Sequence, residues 1–421
     1  MKELPRLVYA DEAGNIYDEP RLLMLCRKGF DITLPRPDEL IPLPKDSDIF
    51  FLPQKRPLGF DKKNGKIEVI EDRYAVAAFV SPGYTLTGLC AYKSDSGSSV
   101  LPLFAYGAVG FLKGRFWVCA KKVDNDPRQI FSNIKDVENK IKIGVDKWFD
   151  EYPNNRLFAH LAKCALKYRC PAAKNLALGR YEAPLPTSPT CNARCLGCIS
   201  KQPKDSGFPS TQERIDFIPS PIEICEVMLY HSKREKRPIL SFGQGCEGEP
   251  LLQYETIKKA IEIYIKEHKG PHTININTNG SLPVAIYELA KAGLNSIRVS
   301  MNSADEKKYM AYYRPISYSF KDVQKSIEVA KEEGLFVSLN YLFFPGISDT
   351  EEEFEALVNL VDKYKIDLIQ LRNLNIDPEL YLNCISSIKT PYMGLSNFMK
   401  RLKKQCPWIR FGYFNPFLEK N

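Results

Sequence analysis

A repeated unit constrains this fold more than any other feature of the sequence: a helix-like amphipathic segment, a Gly-Leu pair, then an apolar run. It occurs at Gly293-Leu294 and again at Gly334-Leu335. A glycine just past a helix closes the last turn in the left-handed conformation, where a Cβ is penalised. Helices that alternate with buried strands imply parallel strands joined by crossovers. The periodicity predicts helices over 221–236, 254–267, 282–292 and 320–333. The apolar runs predict strands over 239–242, 273–277, 296–302, 336–344 and 368–371. With one strand before residue 191 there are six. The first of these helices opens on Ser220-Pro221-Ile222-Glu223, a capping box with Pro at the first helical position.

Composition sets the outer limits. The chain has 421 residues, 44% hydrophobic and 26% charged, which is ordinary for a globular protein of two or three domains. Its longest near-apolar stretches, such as 101–112, are broken by Pro and Gly and fall short of the roughly 18 residues a membrane helix needs. The first five residues carry no apolar signal core, so a cytoplasmic location is expected. Residues 1–124 alternate short apolar runs with Pro, Gly, Asp and Ser turns and read as a β-rich domain. Asp126-Pro127 reads as a cap and first position of a helical connector over 125–180. The core then spans 181–376, and 377–421 forms a C-terminal extension.

The net charge of +8 includes two basic clusters, Lys233, Arg234, Lys236, Arg237 and Lys400, Arg401, Lys403, Lys404. They fit helix C-termini, where cations complement the macrodipole, or an anionic or RNA surface.

Most of the 12 cysteines are isolated and read as small buried hydrophobes, Cys164, Cys170, Cys225 and Cys246 among them. The exception is Cys191-Asn192-Ala193-Arg194-Cys195-Leu196-Gly197-Cys198. A disulfide scaffold would need an oxidising compartment and a small chain. Structural zinc wants four closed ligands, and Cys170, His231 or Cys225 would have to fold back to complete the set. An iron–sulfur cluster on three thiolates, with one iron open, fits the spacing better.

The CxxxCxxC spacing resembles the signature of the radical SAM superfamily, over about residues 185–371. Gly243-Gln244-Gly245-Cys246-Glu247-Gly248-Glu249-Pro250 resembles its glycine-glycine-glutamate-proline segment, with Glu247 in place of the first glycine. The resemblance implies a partial (β/α)6 TIM-like barrel, here with an additional N-terminal β-rich domain. It implies a [4Fe-4S] cluster on Cys191, Cys195 and Cys198. For S-adenosyl-L-methionine it implies contacts from Gly248 and Glu249 to the amino group, from Asn277, and from Ser300 and Asn302 on the fourth strand. Arg298 shares their face by the period of two, and Arg314 is a further candidate for an anionic group. Many members place an aromatic residue where Gly197 stands, so adenine contacts are expected elsewhere, near Ile199. Cys246 reads as a packed thiol or a hydrogen donor.

What the resemblance implies is an enzyme that takes an electron from flavodoxin or ferredoxin, cleaves SAM reductively and uses a 5′-deoxyadenosyl radical to abstract hydrogen. The substrate would be a peptide, protein or metabolite. Two alternatives stay open: an RNA-modifying member of the superfamily, and a non-enzymatic iron–sulfur or zinc protein.

Overall fold

The structure is a computed structural model that describes residues 3–419. Seven parallel strands form an open barrel: β1 Glu182–Pro184, β2 Ile239–Phe242, β3 Thr273–Thr278, β4 Ser296–Met301, β5 Phe336–Phe343, β6 Leu368–Asn373 and β7 Arg410–Gly412. Each pairs in parallel with the next, as the helix–Gly–strand repeat predicts. Gly293 and Gly334 take φ of 116° and 72°, the left-handed conformation expected of them.

The helices follow in chain order. The connector holds α1 Val137–Glu151, α2 Arg156–Leu166 and α3 Pro171–Ala177. The barrel layer holds α4 Pro221–Ser232, α5 Tyr254–Glu267, α6 Pro283–Ala292, α7 Glu306–Tyr313, α8 Phe320–Glu332 and α9 Glu351–Tyr364. The C-terminal part adds α10 Pro378–Ile385 and α11 Leu395–Gln405. Phe354, Leu357 and Val361 of α9 form its buried stripe, and the strand residues Ile297, Val299, Val337 and Leu339 are fully buried.

Three sequence expectations need correction. Asp126 caps no helix: its carboxylate accepts from the Arg128 N–H (2.8 Å) and Nη2 (2.6 Å), and the first helix starts at Val137. The capping box at Ser220 is present, yet α4 ends at Ser232 and is buried on most of its circumference rather than on one stripe. The seventh strand, β7, lies in the region read as an extension.

The seam between β1 and β7 is bridged by side chains. Asn415 donates to Glu182 Oε1 (2.9 Å) and accepts from Gln370 (2.9 Å), while Arg128 pairs with Glu182 Oε2 (3.2 Å). Between Arg6 and Lys122, fourteen antiparallel strands form the N-terminal sheet. It docks on the C-terminal ends of β5 and β6. Thr85 donates to the Leu371 carbonyl (2.8 Å), the Leu86 N–H to Asn373 (2.7 Å) and the Gly29 N–H to the Pro345 carbonyl (2.7 Å).

Candidate active site

The three-cysteine loop follows β1 and is clamped from two sides. On one side lies the turn after β2. The Gly248 N–H donates to the Ser188 carbonyl (2.7 Å) and the Glu249 N–H to that of Thr190 (2.8 Å). A Cβ on Gly248 would drive into the Thr190 carbonyl, so only glycine permits this approach. Glu247 fastens the same contact. Its carboxylate accepts from the N–H groups of Thr187 (2.8 Å), Ser188 (2.9 Å) and Gln244 (2.7 Å), and burial pushes its carboxyl up to about 7. The residue that departs from the glycine pattern is thus a structural clamp.

On the other side lies the C-terminal end of α7. The Arg194 N–H donates to the Tyr313 carbonyl (3.0 Å), that of Leu196 to Tyr312 (3.0 Å), and that of Ile316 back to Asn192 (2.7 Å). A loop without secondary structure is thereby held almost like an edge strand.

Cys191, Cys195 and Cys198 line one cavity of about 1190 Å³. Its lining also carries Arg194, Lys201, Arg214 and Arg314 against a single acid, Asp205. The Arg214 Nη2 lies 3.5 Å from the Cys198 sulfur and its Nε donates to Ser200 (3.2 Å). Burial pushes the Cys191 thiol up to about 11 and raises that of Cys195 well above its ordinary value. These sulfurs become ligands as a cation displaces their protons. The donor set therefore fits a cluster held by three thiolates, with a large open cavity beside it.

The barrel interior behind the cavity is polar. Arg298 donates to Gln370 (3.1 Å), and Asn340 stands opposite Ser300 in register. The Arg298 Nε and the Oδ1 atoms of Asn302 and Asn340 are buried without a protein partner. Buried polar atoms left unmatched are costly unless something else satisfies them. They suit a polar ligand such as a nucleoside with an amino-acid tail.

The other sequence-predicted residues are placed as follows. Glu249 is buried, and its carboxyl is pushed up to about 7 by burial. It accepts from Thr278 Oγ1 (2.5 Å), the Asn279 N–H (2.8 Å) and the Leu251 N–H (3.1 Å). Asn277 donates to the carbonyls of Phe242 (2.9 Å) and Gly243 (3.1 Å). Ser300 is half-buried on β4. Asn302 lies just beyond β4 and donates to the Lys308 carbonyl (3.1 Å) and the Tyr381 hydroxyl (3.2 Å). The lining of the cysteine cavity includes Arg314 but none of Gly248, Glu249, Asn277, Ser300 and Asn302. Those five stand behind it, in and around the ends of β2, β3 and β4.

Sequence reasoning missed Arg194, Lys201 and Arg214, because no spacing rule marks a cation that a loop folds toward a sulfur. It also read Cys164 and Cys246 as separate packed thiols, whereas the structure brings them together with His160.

The basic clusters sit at or just beyond helix ends, and some of their members are engaged. Arg237 pairs with Glu419 (3.0 Å) and stacks on Phe417, and Arg401 pairs with Glu351 (2.5 Å). Lys403 donates to the Pro407 carbonyl (3.1 Å). Lys233 follows α4 and Lys403 and Lys404 lie in the last turn of α11, where cations complement the helix dipole. Among the described residues no helix is long and apolar enough to cross a membrane.

Comparison with known proteins decides the family. The family model "Radical SAM superfamily" matches residues 185–361, which contain the cysteine loop and strands β2 to β5. This stretch belongs to the radical SAM superfamily. An uncharacterized protein of Methanocaldococcus jannaschii is 26% identical over 52% of this chain and 48% of its own. A probable dual-specificity RNA methyltransferase RlmN of Chlorobium phaeobacteroides is 29% identical over 44% and 52%. A probable GTP 3',8-cyclase of Methanosarcina mazei is 32% identical over 47% and 56%. The chain thus spans about half the length of the curated relatives it matches. Among solved structures, native anSMEcpe with bound AdoMet aligns at a TM-score of 0.37 and 16% identity, over 46% of this chain and 51% of that one. Radical SAM proteins use a [4Fe-4S] cluster and S-adenosyl-L-methionine, the pair that the sulfurs and the orphaned polar atoms fit.

Proposed function

We propose that the chain is a radical SAM enzyme that cleaves S-adenosyl-L-methionine reductively and abstracts hydrogen from an anionic peptide, protein or metabolite. The observation that carries this reading is the placement of Cys191, Cys195 and Cys198 on one clamped loop at the wall of one large cavity. When bound, the cluster and SAM supply a 5′-deoxyadenosyl radical; the rest of the task is binding and seclusion by the protein. The three cysteines, all on the cavity wall, would hold the cluster through their three thiolates. Glu249 Oε2 accepts from the Asn279 N–H, which leaves it lone pairs for the SAM ammonium. The unmatched Oδ1 of Asn302, with Ser300 before it, takes the ribose hydroxyls, and Asn277 keeps the turn after β2 in place for Gly248. Arg194, Lys201, Arg214 and Arg314 give the cavity its preference for anions. The electron comes from a flavodoxin or ferredoxin.

The test is an anaerobic assay of reconstituted protein with dithionite or reduced flavodoxin and SAM. The expected result is four irons per chain and release of 5′-deoxyadenosine and methionine. Cys195→Ala should lose the iron and the nucleoside together. Iron-free protein after reconstitution, or nucleoside formation unaffected by that substitution, would overturn the reading.

A further inference from the structure

Outside the cysteine loop, one group of soft donors stands out. His160 and Cys164 lie one turn apart on α2, and Cys246 lies on the turn after β2, more than 80 residues later. Their donor atoms all fall within 4.8 Å of one another, and among the described residues no other group of His, Cys or carboxylate ligands closes so tightly. The His160 Nε2 is 3.5 Å from the Cys164 sulfur. A tetrahedral zinc with Zn–S of about 2.3 Å and Zn–N of about 2.0–2.1 Å places sulfur and nitrogen about 3.6 Å apart. Cys164 and Cys246 are buried and His160 is half-buried, which leaves one side for the ion to enter.

We propose that His160, Cys164 and Cys246 bind a zinc ion, separate from the cluster of the Cys191 loop, with a water entering from the half-exposed His160 side as the fourth ligand. Binding releases the thiol protons to solvent as the sulfurs become thiolates; no redox step is involved. Its place in the fold gives it a purpose. Cys246 is two residues before Gly248, whose N–H holds the cysteine loop, and α2 belongs to the connector between the N-terminal sheet and the barrel. The ion therefore pins the connector to the turn that clamps the cysteine loop. Helix spacing supplies one pair of ligands, and only the fold supplies Cys246, so the sequence alone hides the site.

The test uses the full-length chain with Cys191, Cys195 and Cys198 all replaced by Ala, so that the loop sulfurs hold no metal. Titrated anaerobically with Co2+ alone, it should bind one equivalent and show thiolate-to-cobalt charge transfer in the near ultraviolet with tetrahedral bands in the visible. Cys164→Ser and Cys246→Ser should each weaken cobalt binding at least tenfold, and His160→Gln should shift the visible bands. If any variant fails to fold, zinc-edge X-ray absorption of the wild-type chain, its loop cysteines first occupied by reconstitution with iron and sulfide and one equivalent of Zn2+ then added, serves instead, and should show sulfur neighbours together with a nitrogen. A folded triple-Ala chain without the charge-transfer band overturns the proposal. So does a band that survives in Cys164→Ser/Cys246→Ser, or a zinc spectrum with oxygen neighbours alone. None of these readouts depends on radical chemistry, so the site and the proposed activity stand or fall separately.

Discussion

The hydroxyl of Tyr312 stands 2.5 Å from the point a Cβ would occupy on Gly197. The residue before the last loop cysteine is therefore small because α7 lays a buried tyrosine over it. Tyr312 in turn packs edge-on against Tyr313 and Tyr381. Gly197→Ala should destabilise the chain by about 1–3 kcal/mol, the usual range for overpacking. Adding Tyr312→Phe should recover most of that loss. Thermal melts of the two variants and iron counts after reconstitution check this; a harmless Gly197→Ala would show that the ring moves aside freely.

Gly248→Ala should act more severely and more locally. Its Cβ meets a backbone carbonyl, which has no rotamer to escape into. Displacing Thr190 displaces Cys191, so iron retention should fall several-fold along with stability. Gly334→Ala is the control. A Cβ there meets nothing within 4 Å, but φ is 72°, so the cost should be about 1 kcal/mol with the iron content unchanged. Iron and sulfide analysis of both variants separates the two cases.

Asp349 makes stability depend on pH. It is buried, accepts from the N–H groups of Gly346 (2.6 Å) and Gly394 (2.8 Å), and burial pushes its carboxyl from 3.8 up to about 6. The folded chain then keeps a proton that the unfolded chain has released between those values. Its contribution is therefore complete below about pH 4 and lost as pH rises through about 6, with a slope of at most about 1.4 kcal/mol per pH unit. The difference in unfolding free energy between wild type and Asp349→Asn should fall across that window and level off above it. Denaturant titrations at several pH values measure it; a flat difference would contradict the argument.

Lys28 and Glu39 form an ion pair in the N-terminal sheet, with the ammonium 2.6 Å from both carboxylate oxygens and side chains only 5% and 6% exposed. Removing one partner strands a buried charge. Glu39→Leu should cost about 3–5 kcal/mol, and Lys28→Met/Glu39→Leu should cost much less. A double-mutant cycle by denaturant unfolding checks the coupling.

Much of the barrel was legible because its signals are local. Gly293 and Gly334 announce helix ends, Ser220 announces a start, and the apolar runs between them are too buried to be anything but strands. β7 was not legible, since three residues around Phe411 carry no period. The spacing of the loop cysteines was enough to anticipate that they face one cavity. The partners of Glu249 on the next strand were not legible, nor was the meeting of Cys164 with Cys246, because both depend on which turns the barrel stacks together. Asp126 misled because a cap and an Arg128 anchor use the same carboxylate, and only tertiary structure decides between them.

Asn415, between Glu182 and Gln370, ties the two ends of the barrel sequence together. The seam it zips joins the first strand of the barrel to a segment made more than 200 residues later. On the ribosome, a nascent chain that has not yet emerged past this asparagine carries its cysteine loop on an unsealed cylinder. Delivery of iron and sulfide during synthesis would then meet a looser vessel than delivery after release.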